Sequence, residues 1–575
     1  SAMRGSGLFR LLDHRSDLFS LGIVLYQLTT SRLPFKGSSF AETVEKITRA
    51  QPEAIARFNY DISSELERII RKCLEKKPEE RYQSARELLI DFKRLRRDTD
   101  SGQSPIAATA SEAMNLVAVL PFVNASGDPS REYLSDGITE SLINSLSQLP
   151  NLKVKSRDSS FRYKGKDTDS QTIGRELGVR AIFKGRIIQL GDTLAISAEL
   201  IDTRNDTHLW GEQYSRKASD IFALQRELAT EMTIALRLRL TGEEAKRVAK
   251  SYTANPEAYQ DYLRGRFWSN KSTEEGFQKG VDHFHLAIAK DPAYALAYVG
   301  LALCQKNFAL IGMVDPREPL SSAREAALKA LELDDTIPEA HAVLGRIKAV
   351  YDWDWSGGEK ELERAIVLDP NDGNTRLQYA LVLKGMGQLE NAIAESQRAL
   401  ELDPLSMLAN LNLSHTFYIT RQYEEAISRG QKVLELDPNF IPGHAMLCLS
   451  YLQQSKYEQG IAEIGKAVAA FPNDTGAQLM RGYAFAATGR NAEARSVLEK
   501  VDGLSKQRYA PPTFRAMIYL ALGEKDKAFE WLEKAYEDRS ILTVGPFSSV
   551  LAPAYDPLRS DPRFADLLRR MNLQP

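Results

Sequence analysis

Six residues stand at a constant step of 34: Ala365, Ala399, Val433, Ala467, Val501 and Ala535. A second ladder has the same step, through Ala380, Ser414, Cys448, Gly482 and Ala516. A third runs through Ala392, Ala426, Gly460, Ala494 and Ala528, and a fourth through Pro370, Pro404, Pro438 and Pro472. A fixed period with small residues at fixed phases predicts stacked helix–turn–helix units. The small residues mark places where two helices approach too closely for a large side chain. The proline ends each second helix, because it lacks an N–H and disfavours helical backbone in the residue before it.

The segments ALELDP and VLELDP, with Gly387 or Tyr423 in the turns, resemble the tetratricopeptide (TPR) repeat. Helix pairs count to about eight units: 256–292, 293–335, 336–370, 371–404, 405–438, 439–472, 473–506 and 507–540. The stretch YDPLRSDPRFADLLRRMNL reads as a cap over the last apolar face. The resemblance implies a right-handed superhelix with the first helix of each pair on its concave side. The residues three before and one after each small slot should then face a groove. They include Leu377, Leu381, Leu411, His415, Ala445, Leu449, Leu479 and Tyr483. The Lys, Asn and Arg that hold a peptide carboxylate in some TPR proteins are not at these places, which disfavours such a clamp. An apolar or aromatic peptide is the expected guest. Two alternatives stay open: the leucines pack inside a tight superhelix, or the chain's own regions fill the groove. Trp353 and Trp355 are either core or an exposed anchor.

At 575 residues the chain is too long for one core, and three or four domains is the length prior. A formal charge of −2 provides no basic field for nucleic acid. His283 and His285 are two apart on a predicted helix and face different ways, which argues against a zinc pair. Cys73, Cys304 and Cys448 lie far apart, without CxxC spacing, so a reducing, cytoplasmic setting is expected. No run of about 18 apolar residues encodes a membrane span. No signal peptide is expected either, and the opening SAMRGSG reads as an expression-tag remnant.

DHRSDLFSLGIVLYQLTTSRLPFKG begins with a helix that is apolar on every face, as a central buried helix would be. Two amphipathic helices follow around Lys77–Pro78–Glu79–Glu80–Arg81. Residues 13–97 resemble the last part of a bacterial serine/threonine protein kinase catalytic domain. Asp17 and Gly22 match the family's Asp-x-x-x-x-Gly, and Arg81 matches its late arginine; their implied roles are structural. The Gly-rich loop, strand lysine, His-Arg-Asp loop and Asp-Phe-Gly metal site of that family are not found here. The expectation is therefore the C-terminal portion of a longer kinase, cut inside its catalytic domain and inactive alone.

NLVAVLPF (115–122) reads as a buried strand, and the helix after it as capped by Ser135 or Asp136. LKVKSR reads as a second strand, and DSQTIGRELG as a helix closed by Gly178. Three strands follow, with turns at Leu190–Gly191–Asp192–Thr193 and Asn205–Asp206, then a closing helix. AVLPFVNASGDPSREYLSDGITESL, GVRAIFKGRI and LIDTRNDTHLWGEQY resemble the TolB-like amino-terminal domain, which implies protein interaction or signal input. An anion could dock where Asn124–Asp128 meets the helix, though Asp128 and Asp136 would repel it. The spacing of Ser126, Asp136 and His208 supports no hydrolytic triad.

The expected architecture is multidomain and mainly α: a partial helical kinase lobe (8–97), a linker (98–114), a small α/β TolB-like domain (115–241), a TPR α-solenoid (256–540) and a capping segment (541–575). The expected function is a non-catalytic interaction and signalling scaffold. The alternative is a ligand- or nucleotide-sensing α/β domain coupled to the repeats. No catalytic residue, cofactor or metal is expected. The partner is a protein or peptide in the groove, with self-association through the truncated kinase segment.

Overall fold

The computed structural model describes residues 14–37, 39–58, 64–89, 91–92, 116–149, 152–217, 220–236, 241–242, 252–310, 314–540 and 550–574. The linker expected at 98–114 lies outside them. Two bodies divide the chain: residues 1–115 with 230–245, and residues 116–229 with 246–575.

The first body is helical, with α1 (His14–Thr30), α2 (Phe40–Arg49) and α3 (Ser64–Cys73). Gly22 lets α1 close on α3, since a Cβ there would stand 2.7 Å from Cys73 Cβ. Two small cores result. Leu18 packs with Ile69, Cys73, Tyr82 and Leu88. Tyr26 packs with Phe35, Ile55, Ile70 and Leu74.

The second body begins with a six-stranded sheet ordered β3-β1-β4-β5-β6, with β2 also paired to β4. The strands are β1 (Leu116–Val119), β2 (Val123–Asn124), β3 (Lys153–Val154), β4 (Ala181–Leu190), β5 (Thr193–Asp202) and β6 (Thr207–Lys217). β1 runs parallel to β3 and β4, whereas β4, β5 and β6 form an antiparallel meander. Gly191 and Asp206 take positive φ at the two meander turns. The crossover helices are α4 (Glu132–Ser147), α5 (Arg157–Phe161) and α6 (Ser170–Leu177), and α7 (Ile221–Ala235) follows the sheet. Asp169 caps α6 and left-handed Gly178 ends it. The start of α4 differs from the sequence expectation. Asp128 caps a 3₁₀ turn, Pro129–Arg131, that runs straight into the helix, so Ser135 and Asp136 lie within α4 and are buried.

Eight helical hairpins follow. They pair α8 (Pro256–Ser269) with α9 (Glu274–Lys290), α10 (Ala295–Leu310) with α11 (Arg317–Leu333), α12 (Pro338–Val350) with α13 (Trp355–Leu368), and α14 (Gly373–Gly385) with α15 (Leu389–Leu402). The series continues with α16 (Met407–Ile419) and α17 (Tyr423–Leu436), then α18 (Ile441–Gln453) and α19 (Tyr457–Ala470). It ends with α20 (Thr475–Ala487) and α21 (Asn491–Leu504), then α22 (Pro512–Ala521) and α23 (Lys525–Glu537). Every alanine, valine, serine and cysteine of the three small-residue ladders is buried. A Cβ on Gly482 would meet Ile518 at 2.9 Å and Val497 at 3.0 Å, so glycine fits a real close approach. Asp369, Asp403 and Asp437, each before a ladder proline, leave the helical region, with ψ of 92°, 86° and 104°. A further ladder emerges at the turns inside the hairpins. Trp353, Gly387, Arg421, Ser455, Gly489 and Gly523 all have positive φ, between 58° and 80°. A last helix, α24 (Pro562–Arg570), closes the stack.

Candidate functional site

The first helix of each hairpin packs beside the first helix of the next, so the residues between them form an inner wall. The groove candidates lie in this wall. Leu377, Leu411, His415, Ala445, Leu449, Leu479 and Tyr483 are buried, and Leu381 is half-buried. Leu377 joins Ala399 and Ala409 in one apolar cluster, with Leu381 packed against it. Leu411, Leu449, Leu479 and Tyr483 belong to a much larger cluster that also takes in Val550, Tyr555, Leu558, Phe564 and Met571. The chain's own C-terminal residues thus contribute to the apolar mass around these positions.

That C-terminal stretch is tied down by specific bonds. Arg421 pairs with Asp556 at 2.6 Å, and Lys525 Nζ donates to the Pro557 carbonyl at 3.1 Å. Trp355 Nε1 donates to the Met571 carbonyl at 2.9 Å, and Asn572 Nδ2 to the Trp353 carbonyl at 3.1 Å. The Trp353 ring stacks on Tyr536 and lies under Arg539. Trp353 and Trp355 are therefore core, 3% and 6% exposed.

Sequence reasoning missed a second set of residues on the inner wall. Lys306 on α10, Arg346 on α12 and Lys384 on α14 are 3%, 8% and 5% exposed. Lys384 Nζ donates to Asn412 Oδ1 at 2.6 Å and lies 3.1 Å from His415 Nδ1. Burial lowers the pKa of Lys306 to about 8 and of Lys384 to about 7, and the Arg346 charge adds to both shifts. Burial, then the Lys384 charge, pushes His415 well below its usual range. For Lys384 the signal was present in the chain, since it is set in an otherwise apolar stretch, YALVLKG.

The α/β domain is fastened to the repeats at two places. Against α4, Leu263 of α8 fills the space over Gly137, where a Cβ would come within 2.6 Å of it. Tyr259 bonds Ser141 at 3.2 Å, Arg264 lies over the Tyr133 ring, and Arg266 pairs with Glu140. The Leu-Asp-Pro corners of the repeats make the other contact. Lys155 Nζ donates to the Leu402 carbonyl at 3.0 Å, Asn371 Nδ2 reaches the Leu152 carbonyl at 3.3 Å, and the Ser156 and Ser159 hydroxyls both donate to Asp403.

Within the α/β domain the imagined triad is dispersed. Ser126 Oγ accepts from Gln189 N at 3.0 Å, Lys164 bonds Asp136 at 2.5 Å, and His208 bonds Glu199 at 2.6 Å. Among the described residues no group of His, Cys, Asp and Glu could hold a metal ion. Among them, too, no helix is long and apolar enough to cross a membrane.

In the first body Asp17 lies exposed in the first turn of α1, where the helix dipole favours a negative charge. Arg81 Nε donates to the Glu75 carbonyl at 2.7 Å and Nη1 to the Arg15 carbonyl at 3.3 Å, and its guanidinium covers the Phe19 ring. It ties the start of α1 to the segment after α3. Leu21, Val24 and Leu28 form one face of α1 and are 40%, 50% and 75% exposed.

Comparison with known proteins matches two parts of the chain. Residues 10–91 match the protein kinase domain. Residues 377–439 and 446–508 match one tetratricopeptide repeat family, and 513–537 another. A putative adenylate cyclase 3 of Rhizobium meliloti is 35% identical over 233 residues, which cover 40% of this chain and 39% of that protein. A probable serine/threonine-protein kinase of Streptomyces coelicolor is 40% identical over 127 residues, 22% of this chain and 18% of that one. The chain thus spans well under half the length of these relatives. Among solved structures, YrrB, a TPR protein with an unusual peptide-binding site, is 23% identical and covers 33% of this chain and 92% of its own, at a TM-score of 0.24. The chain therefore joins a protein kinase domain fragment to tetratricopeptide repeats and has bacterial kinases among its relatives.

Proposed function

We propose that this chain is the non-catalytic C-terminal part of a bacterial serine/threonine protein kinase and works as a cytoplasmic interaction and signalling scaffold. In this reading the α/β domain is TolB-like and the repeats receive a protein or peptide partner. The observation that carries it is the joining, in one chain, of a kinase-domain match at 10–91 to an array of repeats. The bolting of the α/β domain to α8 and to the Leu-Asp-Pro corners supports a scaffold that moves as one piece: partner binding on the repeats would bear directly on α4 and α5.

The test has two arms on the full chain. Without a Gly-rich loop, catalytic aspartate or metal aspartate, the purified chain is expected neither to bind Mg-ATP at micromolar concentration nor to phosphorylate itself or a generic substrate. Immobilised on a resin, it should retain a defined protein from lysate of its source organism, in stoichiometric amount. Autophosphorylation would overturn the non-catalytic part of the reading, and failure to retain any protein would overturn the scaffold part.

A further inference from the structure

An edge strand of a β-sheet presents a row of backbone N–H and C=O groups that can pair with another chain. The two edges of this sheet are finished in opposite ways. β3, at one edge, is two residues long, and the residues after it are fastened to the repeats through Lys155, Ser156 and Ser159. β6, at the other edge, is eleven residues long and has no proline, and all of it but Trp210 and Tyr214 is exposed. Its register shifts only opposite Leu200 and Ile201, so Trp210–Lys217 is a regular strand.

The register fixes which way the backbone groups of β6 point. The Phe183 and Ile187 carbonyls of β4 accept from Leu120 and Ala125 at 2.9 and 2.8 Å, on the side away from β5. Bonding residues alternate along antiparallel strands, so the even-numbered residues of β4 bond β5. By the same alternation Trp210, Glu212, Tyr214 and Arg216 of β6 bond β5, and Gly211, Gln213, Ser215 and Lys217 point their backbone groups outward. Among the described residues no other segment's backbone bonds this outer edge.

The strand is also self-complementary. Glu212 and Arg216 stand two residues to either side of Tyr214, with opposite charges. When a second β6 runs antiparallel with Tyr214 facing its own copy, Gly211 meets the partner's Lys217 and Gln213 meets the partner's Ser215, each pair exchanging both backbone bonds. Glu212 then stands directly opposite the partner's Arg216, and Arg216 opposite the partner's Glu212, where side chains come closest. A register centred on Glu212 or Arg216 would set like charges face to face, and one centred on Gln213 or Ser215 would pair neither charge with its opposite. Arg216 is held by the Ser215 carbonyl at 3.0 Å and by Glu227 at 3.1 Å, and both side chains of that ion pair are exposed, so the exchange of partner costs little. We propose that β6 is a homodimerisation edge, through which two copies of this chain join their sheets about a two-fold axis at Tyr214. The contact uses the same patch on both copies and so closes at two. It involves none of the α1 stripe and stands whether or not the scaffold reading holds.

The test uses the full chain carrying Leu21→Gln, Val24→Gln and Leu28→Gln, which removes association through α1, and reads mass by sedimentation equilibrium over a range of concentrations. This chain should dimerise. On that background Ser215→Pro, which removes an outward N–H and spares the bonds to β5, should abolish the dimer. Glu212→Arg alone and Arg216→Glu alone should each weaken it about tenfold or more, since each sets two like-charge pairs across the axis. Both positions are exposed, so neither change threatens the fold. An equimolar mixture of these two chains should recover the parent's affinity, because every arginine then faces a glutamate. A background chain that stays monomeric at every concentration would overturn the proposal. So would a Ser215→Pro chain or a single charge variant that dimerises like the background chain, or a mixture no tighter than its components.

Discussion

Two helices of this chain are apolar on nearly every face, and they meet opposite fates. α18 has Ala445, Met446, Leu447, Cys448, Leu449 and Leu452 all buried, because hairpins flank it on both sides. α1 buries Leu18 and Tyr26 against α3 and its neighbours but leaves Leu21, Val24 and Leu28 in solvent. Apolar patterning on every face is a demand for neighbours on every face. The repeats meet it by translation, since each hairpin is the next one's neighbour. The kinase-like segment has no such device, and its exposed stripe is the kind of surface that drives association.

The sharpest way to break the comparison is to open the covered side. Trp355→Ala should cost about 3–5 kcal/mol, because it removes a buried indole and its bond to the Met571 carbonyl. A denaturant melt that matches the parent would show that the C-terminal stretch is not part of the repeat core. Gly482→Leu should cost about 1–3 kcal/mol by crowding Ile518 and Val497. A parent-like melt there would contradict the register of the small-residue ladders.

The next effect is spread over a range of pH. Burial, and then the charges of Asp372 and Glu339, raise the Asp369 carboxyl to about 8. A raised acid pKa means that the fold favours the protonated form. Its contribution is complete below the ordinary carboxylate range, near 4, and is lost as pH rises toward 8. Stability of the repeats should therefore fall across that window. Asp369→Asn should flatten the slope, which thermal melts at several pH values would read directly.

Gly489→Ala should cost about 1 kcal/mol, since its φ of 78° suits glycine and not alanine. The smallest folding effect belongs to the open side. Leu28→Gln should change stability by no more than about 0.5 kcal/mol, because that side chain is already in water. The triple change Leu21→Gln, Val24→Gln and Leu28→Gln should instead lower self-association, read as apparent mass by light scattering at several concentrations. A parent chain that stays monomeric throughout would show that the stripe drives no contact between copies.

Much of the repeat array was legible in the chain. The period of 34 and the pre-proline aspartates follow from local rules on close packing and backbone sterics, and these rules act within a few tens of residues. The sheet's meander turns and the end of α6 were legible for the same reason, since Gly178 and Gly191 sit where left-handed backbone is needed. The start of α4 was misread because Asp128 caps a short 3₁₀ turn that the helix continues, and hydrophobic spacing does not register such a turn. Arg421 and Ser455 take left-handed turns that their residue type does not announce.

What the sequence determined by itself is the repeating unit, the small α/β sheet and the likeness of residues 13–97 to a kinase lobe. The tertiary structure alone decided which apolar surfaces are covered. It put Tyr555 and Leu558 in the cluster of Leu411, Leu449, Leu479 and Tyr483, and brought Ser156 and Ser159 to Asp403. It also gathered Lys306, Arg346 and Lys384 onto one wall. The physical reason is separation along the chain. These groups lie from about 40 to nearly 250 residues apart, no local pattern couples them, and only the packing of hairpin on hairpin brings them together.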